Sequence, residues 1–115
     1  MSPFATLIMA HLVADYLLQT RWMAMNKAQQ WFPLITHSII YTFILGLAAH
    51  LSFGGLSLSG LAIIFLSHVF LDRRTFVHWW TKTIMGVDLE KNWWLSIVAD
   101  QIFHFLVIVL VLEIR

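Results

Sequence analysis

The sequence predicts an all-α protein, a four-helix transmembrane bundle with an interfacial segment between helices 3 and 4. Three observations lead to this fold class. Of the 115 residues, 60% are hydrophobic and 11% charged, and the mean hydropathy of +0.80 is too high for an ordinary soluble domain. Apolar runs recur four times between polar connections. The basic residues gather in two of those connections, as is typical of membrane proteins.

The four helices are predicted at about residues 3–20, 34–51, 56–72 and 93–112. Pro3 and Pro33 suit the starts of the first two, because proline fits the first turn of a helix. The first helix has a marginal spanning length. The third apolar run, 61–71, spans only if the helix extends beyond it at both ends. At this length the chain allows one domain, so we expect a single integral membrane domain over 1–115.

The segment 72–92 is the longest polar stretch and mixes aromatic with basic residues. This composition is typical of a segment that lies along the membrane interface. The connection 21–32 is predicted to be a short polar link. Both connections are therefore expected at the membrane surface.

Lys and Arg counts predict the orientation. Connection 21–32 contains two basic residues and 72–92 contains four, whereas the turn 51–60 contains none. The positive-inside rule places the two basic connections in the cytoplasm. We expect a multi-pass membrane protein with both termini outside. Because no basic residues precede the first apolar run, that run is expected to be a retained helix and not a cleaved signal.

Composition also excludes several functions. Seven Lys and Arg stand against six Asp and Glu, and no basic stripe exists, so nucleic acid is not an expected partner. The absence of cysteine excludes disulfides, thiolate metal sites and cysteine nucleophiles. A metal would therefore be bound by nitrogen and oxygen atoms.

Histidine and aspartate pairs recur inside the apolar runs with a four-residue spacing: His11 with Asp15, His68 with Asp72, and, in reverse order, Asp100 with His104. On an α-helix this spacing places both side chains on one face. His37 lies in the second run without an acidic partner. Ionisable groups in a membrane span are costly and indicate a functional site.

All these side chains are predicted at one depth, in the cytoplasmic half of the bundle, when counted from the helix ends at ~1.5 Å per residue. Polar packing between helices and a proton or ion path are the alternatives. We favour a metal site, because a buried carboxylate is costly unless it is paired or bound to a metal. The candidate ligands are His11, Asp15, His37, His68, Asp72, Asp100 and His104. Imidazole and carboxylate ligands fit Zn²⁺, the expected metal, and also suit Fe²⁺ or Mn²⁺.

Catalysis is predicted to use the same carboxylates. Asp15, Asp72 and Asp100 are the candidate catalytic groups, either as ligands or as a base that activates water. The candidate substrate-binding residues are Gln19 and Gln101, on or beside the same helix faces, and Lys27, Arg73 and Arg74, near the mouth of the site. The cations suit a phosphate or anionic headgroup but are equally typical of positive-inside anchors. A lipid or lipid-linked substrate is expected to enter laterally.

Several of these segments carry a family resemblance: 10–20 (AHLVADYLLQT), the helix of His37, 66–72 (LSHVFLD) and 100–104 (DQIFH). On them the sequence resembles a family of small bacterial membrane proteins known as domain of unknown function 3307, over nearly the whole chain. Members commonly carry a lysine shortly after the third-helix aspartate, where this chain has Arg73 and Arg74. The resemblance implies a protein of the bacterial inner (cytoplasmic) membrane and no established activity.

Two weaker likenesses rest on short motifs. Residues 36–38 (THS) and 67–72 (SHVFLD) are similar to membrane-bound metal-dependent hydrolases. A looser likeness is to intramembrane zinc amidohydrolases such as alkaline ceramidases. Both imply hydrolysis.

The alternative function is a non-catalytic subunit of a larger membrane complex. The small size, the short third helix and the many large aromatic residues favour it, because these aromatic side chains could face the helices of partner subunits. A pigment or haem is part of this alternative, since His37 and His50 are thirteen residues apart on one helix, a spacing found where helices hold two stacked haems. A homo-oligomer is a further expectation.

Overall fold

The structure is a computed structural model that describes residues 1–114. It contains six α-helices in this range: α1 (Pro3–Leu12), α2 (Arg21–Asn26), α3 (Trp31–Phe53), α4 (Leu58–Asp72), α5 (Thr75–Trp79) and α6 (Trp93–Ile114). Two π-helical turns, Val13–Leu17 and Trp80–Ile84, continue α1 and α5. Residues 1–114 contain no strand, so the predicted all-α class is confirmed. Arg115, the last residue of the predicted domain, lies outside the described residues.

Helix boundaries differ from the prediction where polar side chains cap helix ends. Thr20, expected inside the first helix, instead begins α2, because its Oγ1 accepts a hydrogen bond from the Met23 N–H at 3.3 Å. The predicted polar link 21–32 therefore contains a short helix. Ser57 begins α4 in the same way, with Oγ 3.0 Å from the Gly60 N–H. Serine and threonine are favoured at this position because they satisfy a backbone donor left free by the first turn.

The four longest helices pack in a ring, in which α1 contacts α3, α3 contacts α4, α4 contacts α6 and α6 contacts α1. Neighbouring helices run in opposite directions. In the pair α1 and α3, for example, Thr6 meets Ser52 near one end and Asp15 meets His37 near the other. This is the up-down-up-down arrangement that short connections favour.

Both basic connections lie at one end of the ring, here called the basic end. Lys27 from the first connection contacts Asp72 at the end of α4, and Trp31 stacks with Arg73 from the second. The opposite end holds an apolar core that includes Leu7, Leu45 and Ile64. The half of the interior nearer the basic end is polar.

Polar residues are inside and apolar residues outside over much of the ring. Large side chains such as Phe43, Leu66 and Leu106 are more than half exposed, while the seven candidate ligand residues are buried. Soluble monomers rarely expose apolar surface on this scale.

Two helices in the described range, α3 and α6, are long and apolar enough to cross a membrane. Only 39% and 33% of their apolar windows are buried inside the molecule, unlike the core helix of a soluble protein. The continuous helix Pro3–Leu17 and α4 have 15 residues each, or ~22 Å at the usual rise. That is shorter than the ~30 Å hydrocarbon layer.

Candidate metal centre

The seven predicted ligands converge in the polar half of the ring. None of them is more than 5% exposed, and they come from all four ring helices. Within the described chain, ligand atoms close enough to share a metal ion form two groups, Asp15 with His37, His68 and Asp72, and Asp72 with Asp100 and His104. The buried His/Asp groups could therefore hold a metal ion.

The first group is built from two histidines that face two carboxylates. His37 Nε2 lies 3.1 Å from Asp15 Oδ1 and 3.4 Å from Asp72 Oδ2. His68 Nε2 lies 3.6 Å from Asp15 Oδ1 and 3.4 Å from Asp72 Oδ2. One atom from each residue is within 4.8 Å of the others. The four atoms thus surround one point.

These separations fit a small divalent ion. Zinc binds nitrogen and oxygen at ~2.0–2.2 Å, so the ligands of a tetrahedral site lie about 3.4 Å apart. The four nitrogen to oxygen distances of the group are 3.1, 3.4, 3.4 and 3.6 Å. His68 Nε2 is buried and has no hydrogen-bond partner among residues 1–114. A metal ion would give this nitrogen the partner that the described protein atoms do not provide.

Ser38 and Tyr41 support the group, and the sequence analysis assigned them no role. Ser38 Oγ and His68 Nδ1 share a buried hydrogen bond of 3.0 Å, and the Tyr41 ring stacks on the His68 ring at 3.9 Å. Such contacts orient a ligand imidazole and tune its affinity. The signal for Tyr41 was present, because it follows His37 by four residues and so shares its helix face.

His11 belongs to neither metal group. Its Nδ1 is hydrogen-bonded to the Tyr41 hydroxyl and its Nε2 donates to Gln101 Oε1, both at 2.7 Å. The nearest carboxylate oxygen, Asp15 Oδ2, is 3.5 Å from Nε2. With both ring nitrogens engaged, the position suits a residue that orients Asp15 and Tyr41 better than it suits the predicted ligand role.

The second group shares Asp72 with the first. His104 Nδ1 donates a 2.8 Å hydrogen bond to the Asp100 carbonyl oxygen, so its Nε2 is free to face Asp72 Oδ1 at 3.4 Å. Asp100 Oδ1, 3.5 Å from His104 Nδ1, has no hydrogen-bond partner in the described chain. Asp72 therefore directs one carboxylate oxygen at each group.

The backbone around Asp15 is a π-helical turn, Val13–Leu17. Such turns add a residue to a helical turn and occur frequently at functional sites. Asp15 and Ala14 are its buried residues. The i, i+4 spacing predicted the shared face of His11 and Asp15 but not this widened turn.

A cavity of about 190 Å³ opens beside the groups at the basic end, between Asp15, Gln19, Lys27, Arg74 and Gln101, with Asp100 also in its wall. Four of the five predicted substrate-binding residues therefore line it. Lys27 Nζ lies 3.0 Å from Asp72 Oδ2, although the pair is not aligned for a hydrogen bond. An Arg74 guanidinium nitrogen lies 3.7 Å from Asp100 Oδ2.

Arg73, the fifth, does not line this cavity. Its guanidinium carbon lies 4.4 Å from the centroid of the Trp31 ring, an arrangement that favours a cation–π contact. Arg74 follows it with a left-handed backbone, φ 69°. Since non-glycine residues adopt this conformation at a cost, the surrounding structure must fix Arg74 in place.

The remaining histidines lie elsewhere. His50 is exposed and lines a separate cavity with Gly54 and Gly55 at the opposite end. His78 is exposed at the basic end, where partial burial and the nearby Arg74 charge lower its pKa. His37 is held between two carboxylates, so the structure offers no support for the paired haem ligation with His50.

Comparison with known proteins gives one match. The family described as protein of unknown function (DUF3307) matches residues 4–115. The chain belongs to this family. No curated protein and no solved structure matches. The DUF3307 match confirms the family resemblance of the sequence, and the family's description names no activity; the likeness to hydrolases has no support from the comparisons.

Proposed function

We propose that this DUF3307 protein is a four-span protein of the bacterial inner membrane that binds a divalent metal, expected to be Zn²⁺, between its helices. We further propose that it hydrolyses a lipid or lipid-linked substrate there. The observation that carries the proposal is the group of Asp15, His37, His68 and Asp72, whose nitrogen to oxygen separations of 3.1 to 3.6 Å suit one small ion.

The membrane location is supported by the distribution of side chains. Apolar residues cover the outside of the ring and ionisable residues lie inside, the arrangement that lipid requires. The two shorter helices leave part of the hydrocarbon layer unspanned, and local thinning of the bilayer accommodates such a difference at modest cost. Both basic connections lie at the same end, which supports a cytoplasmic basic end under the positive-inside rule.

The donor set supports the metal. Imidazole nitrogens and carboxylate oxygens are the ligands of catalytic zinc sites. A bound divalent ion supplies Lewis acidity, which activates water and polarises an ester or amide oxygen at neutral pH. Asp15, Asp72 and Asp100 are the protein groups positioned to accept the proton of an attacking water, because all three lie in the same buried cluster.

The cavity beside Asp15 and Asp100 supports substrate access. Its wall combines carboxylates, amides and the cations Lys27 and Arg74. These groups suit the polar part of an amphipathic molecule whose acyl chains remain in the bilayer. Arg73 is left out of the proposed substrate contacts because its guanidinium is stacked on Trp31.

Elemental analysis of detergent-purified protein tests the metal. We expect bound metal in the wild type, and loss of that metal in His68→Ala. His50→Ala is the matched control. This variant should keep the metal, because His50 is an exposed histidine near the C-terminal end of α3, away from the basic end. A wild type without metal after loading with Zn²⁺, Fe²⁺ or Mn²⁺ would refute the proposal.

Hydrolysis is tested on the same preparation with a panel of lipid esters, amides and phosphate esters. Turnover should stop on chelation, return on metal addition and be absent in Asp100→Asn. Metal-loaded protein that hydrolyses no member of the panel would contradict the hydrolase assignment and leave a metal-binding protein. The alternative, a pigment- or haem-bearing subunit, predicts that the purified protein absorbs visible light and purifies together with other subunits of a membrane complex.

A further inference from the structure

We propose that the cavity at the basic end is a phosphate-binding subsite, in which Lys27 leaves Asp72 when the metal binds and then contacts a phosphate group of the ligand. The inference rests on the proposed metal site and names the chemical class of its substrate. Two observations support it. Lys27 lies beside an oxygen of Asp72 that belongs to the proposed metal group, and the cavity at the basic end is lined by the cations Lys27 and Arg74.

Lys27 and a bound metal compete for one oxygen atom of Asp72. Asp72 Oδ2 faces His37 Nε2 and His68 Nε2 and also lies 3.0 Å from Lys27 Nζ. A metal bound to this oxygen would be at most ~5 Å from the ammonium, given metal–oxygen bonds of ~2.0–2.2 Å. Like charges at such a distance in a buried site repel strongly. Metal binding therefore drives Lys27 away from Asp72.

The displaced ammonium group of Lys27 can move into the neighbouring cavity. Lys27 lines the cavity of about 190 Å³, and its side chain is 14% exposed, compared with 2% for Asp72. The long flexible side chain can therefore move toward the cavity without unfolding α2. Arg74 also lines this cavity, near Asp100. The two cations then share one cavity.

The charge balance of the cluster favours an anionic ligand. The cluster contains three carboxylates, Asp15, Asp72 and Asp100, and two cations, Lys27 and Arg74. With the histidines neutral, as metal binding requires, the total of these charges is −1 in the absence of metal, and a divalent ion changes it to +1. A site that becomes positive on metal binding attracts an anion, and buried positive charge without an anion is costly. Phosphate carries the charge and the acceptor oxygens that Lys and Arg bind best.

Size and polar atoms agree with this ligand. The cavity has room for about six water molecules at ~30 Å³ each, which is enough for a tetrahedral phosphate group. Gln19 and Gln101 contribute amides to the wall. Gln19 Oε1 is buried and has no hydrogen-bond partner in the described range, so it can accept a hydrogen bond from a protonated phosphate oxygen or a neighbouring hydroxyl.

Isothermal titration of detergent-purified protein tests the subsite. Inorganic phosphate and phosphatidic acid in mixed micelles are titrated separately into metal-loaded and chelator-treated protein. We expect binding of a phosphate group at least tenfold tighter to the metal-loaded form. Binding of both probes indicates recognition of the phosphate alone, and binding of phosphatidic acid alone indicates a lipid headgroup; both results support the subsite.

The variant Lys27→Met separates this inference from the proposed function. It should bind metal at least as tightly as the wild type, because the competing ammonium is gone, and should lose at least tenfold in phosphate affinity. Lys82→Met, at an exposed lysine of the same end, should match the wild type in both. Metal-loaded wild type that binds neither probe, or a Lys27→Met variant with unchanged phosphate affinity, would overturn the subsite and leave the metal site intact. Wild type that binds no metal would refute both.

Discussion

Replacement of Ser38 by alanine should weaken metal binding although all four ligand residues are retained. Ser38 Oγ is 3.0 Å from His68 Nδ1, and neither residue is more than 1% exposed. The substitution leaves one imidazole nitrogen buried without its partner and frees the ring to rotate. Loss of such a supporting contact typically reduces metal affinity about 10–100-fold, or ~1.4–2.8 kcal/mol at 1.4 kcal/mol per tenfold.

Ser96→Ala is the matched control. Ser96 is also a buried serine on a ring helix, but its Oγ has no hydrogen-bond partner among the described residues. Removal of an unsatisfied buried hydroxyl is expected to be neutral or slightly stabilising. Metal affinity should therefore be unchanged in Ser96→Ala.

The metal affinity of both variants is measured in detergent by competition with a chelating fluorescent indicator. Thermal unfolding checks that each variant is folded. The expected result is a dissociation constant raised about tenfold or more for Ser38→Ala alone. Equal affinity in Ser38→Ala and wild type would show that His68 is not a ligand or that its orientation does not matter. Equal losses in both variants would indicate a general packing effect.

Two further predictions concern pH and topology. Metal binds imidazoles in their neutral form, so protons compete with the metal. The amount of bound metal should therefore fall as the pH drops through the histidine range near ~6.5. Constant metal retention from about pH 8 to about pH 5 would be incompatible with histidine ligands. In this cysteine-free chain, single cysteines at the exposed positions Ser2, Gln29, Ser59 and Lys82 can be labelled with an impermeant reagent from one side of the membrane. Gln29 and Lys82 should react from the same side and Ser2 and Ser59 from the opposite side, and common labelling of Ser59 and Lys82 would reject the four-span arrangement.

Composition and apolar runs in the sequence were enough to predict the all-α class, short segments were enough to identify the family, and local spacing indicated most of the candidate ligands. Residues four apart share a helix face whatever the helix packs against, so the pairs His68 with Asp72 and Asp100 with His104 could be recognised without a structure. The hydropathy of α3 and α6 is likewise a property of the chain alone. The topology and the roles of the ligands remain predictions.

Capping and backbone irregularity limited the prediction of boundaries. The side chain of Thr20 can end one helix or begin another, and only the surrounding packing decides between them. Apolar periodicity does not reveal a π-helical turn either, and so the setting of Asp15 was not predicted. The early end of the first helix and the helix α2 follow from these two features.

Only the tertiary structure decided which of these groups meet. Helical periodicity defines a face but not the rotation of that face relative to other helices, which depends on packing between residues far apart in sequence. That packing brings His37 to Asp15 and Asp72 and places Lys27 on Asp72. It also engages His11 with Gln101, which separates it from the ligand groups although its sequence context is the same as theirs.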